Sequence, residues 1–127
     1  MRSKLLRNQQ GTSLVEFVII LPVLMLITLA VIDLGRAYAT DLFLMSSARE
    51  GAYYLMQNPR DTAGAIEQTT DALTEYGVPI EEVTITATSA GSGDMVTVSV
   101  SYDFPLLFGF LPFSTVPLDI TVSMPAI

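Results

Sequence analysis

The sequence predicts an α+β protein. It comprises a long N-terminal transmembrane helix continuing into an exported domain, a second short helix, and a small antiparallel sheet of three to four strands. Three observations predict it. An uncharged apolar run lies near the N-terminus. Apolar residues then recur at three- and four-residue steps, which is helical spacing. From Val83 onward the period changes to two, which is strand spacing.

The chain has 127 residues, enough for one small folded domain and a membrane segment. Phe17 to Ile32 contains no charged residue. Taken as Leu14 to Leu34, the run measures roughly 32 Å as a helix at ~1.5 Å per residue. That matches a hydrocarbon core of about 30 Å. Pro22 removes one backbone donor within the run, so a kink is expected there. Charge divides sharply across it. Arg2, Lys4 and Arg7 precede the run with no acidic residue among them, whereas from Ala37 onward eleven acidic residues face two basic ones, Arg49 and Arg60. The basic flank predicts an N-terminus on the cytoplasmic side and export of the rest, hence a single-pass membrane protein. The acidic remainder excludes a nucleic-acid partner, because it repels phosphate. Cysteine, histidine and tryptophan are absent. No disulfide framework, ordinary zinc site, haem ligation or His-based nucleophile pair is therefore expected. No cofactor, metal or small-molecule substrate is expected, no loop has EF-hand spacing, and no cluster suggests an enzyme.

Four segments follow: a basic leader at 1–11, the transmembrane part of the helix at 12–35, its exported continuation at 36–58, and an exported helix plus sheet at 59–127. Asp33 and Arg36 mark the membrane crossing at an i, i+3 spacing that allows pairing. Beyond them Tyr38, Leu42, Met45, Ala48, Ala52 and Met56 form the expected buried stripe, and Asn58-Pro59 ends the helix. Ser46, Ser47, Ala48, Gly51 and Ala52 suit either close helix packing or a helix with modest packing demands. A second helix is expected over about 61–76, capped by Asp61 or Thr62 and closed by Gly77, with Ala63, Ile66, Leu73 and Tyr76 facing inward. Three strands follow, carrying Val83-Ile85-Ala87, Val96-Val98-Val100-Tyr102 and Leu118-Ile120-Val122-Met124 on one side. Hydroxyl-rich residues occupy the other side, and a hairpin loop at 89–94 joins the first two. Residues 106–113 fit neither period and read as core or as a contact surface.

The most informative feature is Gly11-Thr-Ser-Leu-Val-Glu16-Phe17. It sets one carboxylate just inside the apolar run. An unpaired charge at the centre of a bilayer costs about 3 kcal/mol, less where it reaches the headgroups. Glu16 is therefore either a snorkelling residue or one with a partner.

Together with Pro22, Asp33-Leu-Gly-Arg36 and Ala48-Arg-Glu-Gly-Ala52, this pattern resembles the TadE-like proteins of the Tad/Flp pilus, which are pseudopilins built like type IV pilins. The resemblance covers about residues 9–55. It implies a pilin-like fold and cleavage by a prepilin peptidase after Gly11, with Thr12 as the new N-terminus and Phe17 at the aromatic position following the glutamate. It also implies assembly through the N-terminal helix, where the Thr12 amine of one subunit neutralises Glu16 of its neighbour. Glu16, Pro22, Asp33 and Arg36 are then the candidate assembly residues. The implied partners are the peptidase, other pilins or pseudopilins, Tad membrane platform proteins and inner-membrane lipid. The implied roles are pilus assembly, adhesion and secretion. Two other readings stay open. One is an unprocessed, signal-anchored periplasmic binding module. The other is conventional signal-peptide cleavage after Ala37-Tyr-Ala39, to which the length of the run and the charges of Asp33 and Arg36 are poorly suited.

Overall fold

A computed structural model describes residues 2–89, 93–108 and 114–127, with side chains from Gly11 onward. The elements are α1 (Arg2–Gln57), α2 (Thr62–Glu75), a single 3₁₀ turn (Ile80–Glu82), β1 (Val83–Ser89), β2 (Met95–Pro105) and β3 (Thr115–Pro125). The chain divides into two compact units, Met1–Gly35 and Arg36–Ile127.

The first unit is helix alone. It starts at Arg2, well before the apolar run, so residues 2–11 of the leader are helical. Its Arg, Lys, Leu and Gln residues are good helix formers, and no glycine or proline interrupts them before Gly11. The helix runs unbroken past Pro22. Its large apolar side chains stand exposed, from Leu14 at 67% to Ile32 at 48%.

The second unit has a layer of helix against a three-stranded antiparallel sheet of order β1-β2-β3. β2 is central, and Val96, Val98, Val100, Tyr102 and Phe104 on its inner face are buried. They form one cluster with Ala37, Leu44, Ala48, Ala52 and Leu55 of α1, and with Ala65 and Leu73 of α2. The register is continuous, from Val83↔Tyr102 to Ser89↔Val96 and from Met95↔Pro125 to Pro105↔Thr115. The outer face carries the hydroxyls. Thr97 bonds Ser123 at 3.0 Å and Ser99 bonds Thr121 at 3.1 Å, each pair directly opposite across the β2–β3 ladder.

Ala48, Ala52 and Leu73 are buried as expected, but the rest of the inward side of each helix differs from the one expected. In α1 the buried set is Ala37, Leu44, Ser47, Ala48, Gly51, Ala52 and Leu55, while Tyr38 and Leu42 of the expected stripe point outward at 66% and 47% exposure. In α2 the buried set is Ala65, Thr69, Ala72 and Leu73, with Ala63 and Tyr76 exposed. The cause is close approach. A Cβ built on Gly51 would collide with Thr69 Oγ1 and lie 2.9 Å from the Ala65 carbonyl oxygen, so small residues define this contact. Thr69 is buried there without cost, because its hydroxyl donates to the Ala65 carbonyl at 2.8 Å.

The α2 boundaries match expectation. Asp61 caps the helix by accepting the Gly64 amide at 2.9 Å, and Gly77 at φ +74° closes it in the left-handed region. Of the 106–113 segment, Leu106 is half-buried against the core and Leu107 is exposed at 62%. Residues 109–113 lie outside the described residues, as do residues 90–92 of the expected hairpin loop.

Candidate functional site

The processing and assembly residues expected from sequence all lie on α1. Gly11, Thr12, Glu16 and Phe17 are exposed, and a Cβ on Gly11 would meet nothing within 4 Å. Phe17 exposes 57% of its surface. The chemistry of this turn consists of a flexible glycine, a carboxylate and an aromatic ring presented on bare helix. Pro22 is also exposed, one turn and a half further on, and leaves the Val18 carbonyl without its i+4 donor. Asp33 stands at the other end of the apolar run, roughly 24 Å from Phe17 along the helix axis at ~1.5 Å per residue.

Asp33 is not an exposed interfacial charge. Only 4% of its surface is accessible. Arg36 is half-buried, and its guanidinium lies 5.0 Å from the centre of the Phe104 ring in a cation–π contact. Arg36 therefore joins an aromatic group at one end of the second unit. Phe43 and Tyr76 stack at 4.8 Å between ring centroids, and Tyr102 meets Phe104 edge-on at 6.3 Å. A cavity of about 180 Å³ lies among Arg36, Thr40, Phe43, Tyr76, Tyr102 and Phe104. Burial pushes the Tyr102 hydroxyl above its ordinary pKa, with Glu82 adding to the rise and Arg36 opposing it. The ring remains a neutral hydrogen-bonding group.

Sequence reasoning missed a second polar constellation, at the α1–α2 turn. The Tyr54 hydroxyl donates to Asp61 Oδ2 at 2.6 Å, while Oδ1 accepts the Gly64 amide. Tyr54, followed by the Gly64 amide, holds the Asp61 carboxyl below the usual aspartate range, and the same bond raises Tyr54. The capping aspartate was visible in the sequence, but its bond to a tyrosine seven residues earlier was not. Among the described residues no group of histidine, cysteine, aspartate or glutamate is placed to hold a metal ion.

Residues 11–52 match the family of TadE-like proteins. Through this segment the chain is similar to TadE-like proteins. The match begins at Gly11, includes Glu16, Phe17, Pro22, Asp33 and Arg36, and ends at Ala52 beside the close-packed Gly51. The TadE-like segment thus takes in the apolar run and most of the buried side of α1, while α2 and the sheet lie beyond it. No curated protein and no solved structure matches the chain. TadE-like proteins are membrane-associated, and α1 is long and apolar enough to cross a membrane, with a mean hydropathy of 2.8 over its best window. The match suggests a protein associated with the Tad pilus.

Proposed function

We propose that this protein is a minor pilin or pseudopilin of a Tad/Flp-type pilus or secretion apparatus, structural rather than catalytic. It inserts with its N-terminus in the cytoplasm and its second unit exported. A prepilin peptidase cleaves after Gly11. The mature subunit then assembles through α1 with other pilins on the Tad membrane platform, in pilus assembly, adhesion and secretion.

One observation carries this reading: Glu16 is exposed on an apolar helix, five residues beyond a glycine with open space around it. Each part has a physical use. Glycine costs a helix about 1 kcal/mol relative to alanine, so the Gly11–Thr12 bond lies where the helix opens most readily for a peptidase. Cleavage removes Arg2, Lys4 and Arg7 and creates a cationic amine at Thr12. That amine on one subunit pairs with Glu16 of the next, which offsets desolvation of both charges and fixes their axial register. The outward side chains of Tyr38, Leu42 and Tyr53, exposed at 66%, 47% and 54%, extend the contact surface above the membrane span.

Mature N-terminal sequencing tests the reading. Thr12 is the expected first residue. An intact Met1 supports the unprocessed, anchored binding module, and Thr40 supports release by ordinary signal peptidase. Glu16→Ala is expected to leave membrane insertion intact and to remove the subunit from isolated assemblies. Normal incorporation of that variant would defeat the register mechanism.

A further inference from the structure

The two edges of the sheet differ. β1 has seven residues and α2 runs alongside it, whereas β3 has eleven residues and, among the described residues, β2 as its one strand neighbour. Two hydrogen bonds fix the phase of the β2–β3 ladder. The Leu106 amide donates to the Ser114 carbonyl at 2.9 Å, and the Ala126 amide donates to the Asp94 carbonyl at 2.8 Å. The register between these points is continuous, so the same phase holds throughout. Even-numbered residues of β3 exchange hydrogen bonds with β2, and odd-numbered residues turn both backbone groups toward the open side.

Pro117 and Pro125 are both odd, so their missing donors cost the β2 ladder nothing. Between them Asp119, Thr121 and Ser123 direct three amides outward, and no hydrogen bond beyond the ladder reaches the backbone of these residues among those described. The core is also incompletely covered here. Leu118, Ile120, Val122 and Met124 are half-buried, whereas their partners on β2 are at most 5% exposed. Pro117 and Pro125 blunt the two ends of this edge and Asp119 adds one charge, but the stretch from Leu118 to Met124 has no lysine, bulge or proline to block pairing.

The geometry points to β3 as a docking edge for an extended segment of a different polypeptide, which adds an antiparallel fourth strand beside Asp119–Ser123. Its side chains alternate. Apolar ones lie next to Ile120 and Val122, and polar ones lie on the hydroxyl face with a basic residue suited to Asp119. A second copy of this chain is the poorer occupant, because the unit from Arg36 onward carries eleven acidic and three basic residues and repels itself. The docking edge does not depend on cleavage at Gly11.

Amide hydrogen exchange, read by NMR on the full chain in lipid nanodiscs, tests this. The probe is the peptide acetyl-Val-Thr-Val-Lys-Val-Thr-Val-amide in two forms. One is N-methylated on the valines, which leaves the Thr and Lys amides free to face β3. The other is N-methylated on Thr and Lys. The first form at about 1 mM is expected to slow exchange at Asp119, Thr121 and Ser123 about tenfold, while the second has no effect. No slowing, or equal slowing by both forms, overturns the proposal. Protection of the same three amides without peptide, rising with protein concentration, overturns it in favour of a second copy.

Discussion

The apolar run of α1 and the inner face of β2 are built from similar side chains and meet opposite surroundings. Leu14, Val18 and Ile19 are exposed at 67%, 57% and 67%, while Val96, Val98 and Val100 are at most 1% exposed. The difference lies in where the complementary surface comes from. β2 finds it within its own chain, in Leu44, Ala48 and Leu55. Among the described residues the apolar side chains from Leu14 to Ile27 have no such counterpart, so lipid or a neighbouring helix must supply it. Hydrophobicity alone therefore does not separate core from contact surface. The presence of a partner within the chain does.

The largest expected effect sets one leucine from each region against the other. Leu44→Ala removes a fully buried side chain from the core and is expected to destabilise the second unit by about 2–5 kcal/mol in denaturant unfolding. Leu24→Ala, at a site 50% exposed, is expected to leave that transition unmoved. Equal losses would mean that Leu24 is a core residue after all. A smaller effect compares two glycines. Gly51→Ala forces a methyl group against Thr69 and the Ala65 carbonyl, and is expected to cost about 1–3 kcal/mol in the same assay. Gly11 has open space around it, so replacement by leucine is expected to leave unfolding unchanged and to abolish the cleavage shift on a gel. Unchanged processing would detach Gly11 from any peptidase.

The smallest effect is a pH dependence at the α1–α2 turn. The folded-state pKa of Asp61 is depressed, so its contribution is present above the unfolded-state value, about 4, and is lost as pH falls through the folded-state value. Tyr54→Phe removes the leading cause of the depression. It is expected to make the second unit slightly less stable at neutral pH and to flatten its loss of stability below pH ~4, as read by thermal unfolding across pH.

The strands were legible because alternation of valine or isoleucine with threonine or serine has one reading, and the observed ladders keep those residues on opposite faces. The α2 boundaries were legible for a similar reason, since Asp61 and Gly77 each meet a backbone requirement. The buried sides of the helices were legible only in Ala48, Ala52 and Leu73. Gly51, Ala65 and Thr69 have little hydrophobic weight, and only the other helix shows that their smallness is what permits contact. The burial of Asp33 was equally hidden, because its i, i+3 spacing to Arg36 at the end of the apolar run reads as an ordinary interfacial pair. Of the candidate site, Gly11–Phe17 was legible as a pattern, and the structure adds that these residues are exposed among those described.

The amide of Ile127 donates to the carbonyl of Met56 at 3.2 Å, at the last turn of α1. This bond joins the two ends of a loop that contains α2 and the whole sheet. During synthesis the chain emerges from its N-terminus, so α1 is complete long before residue 127 exists. The helix must then wait with its buried side uncovered while about 70 further residues are made at ~5–20 per second, a delay of several seconds. The second unit cannot close until β3 arrives. Until then Leu44, Ala48 and Leu55 are as uncovered as the run beneath them, and the two halves of α1 are distinguished by time rather than by sequence.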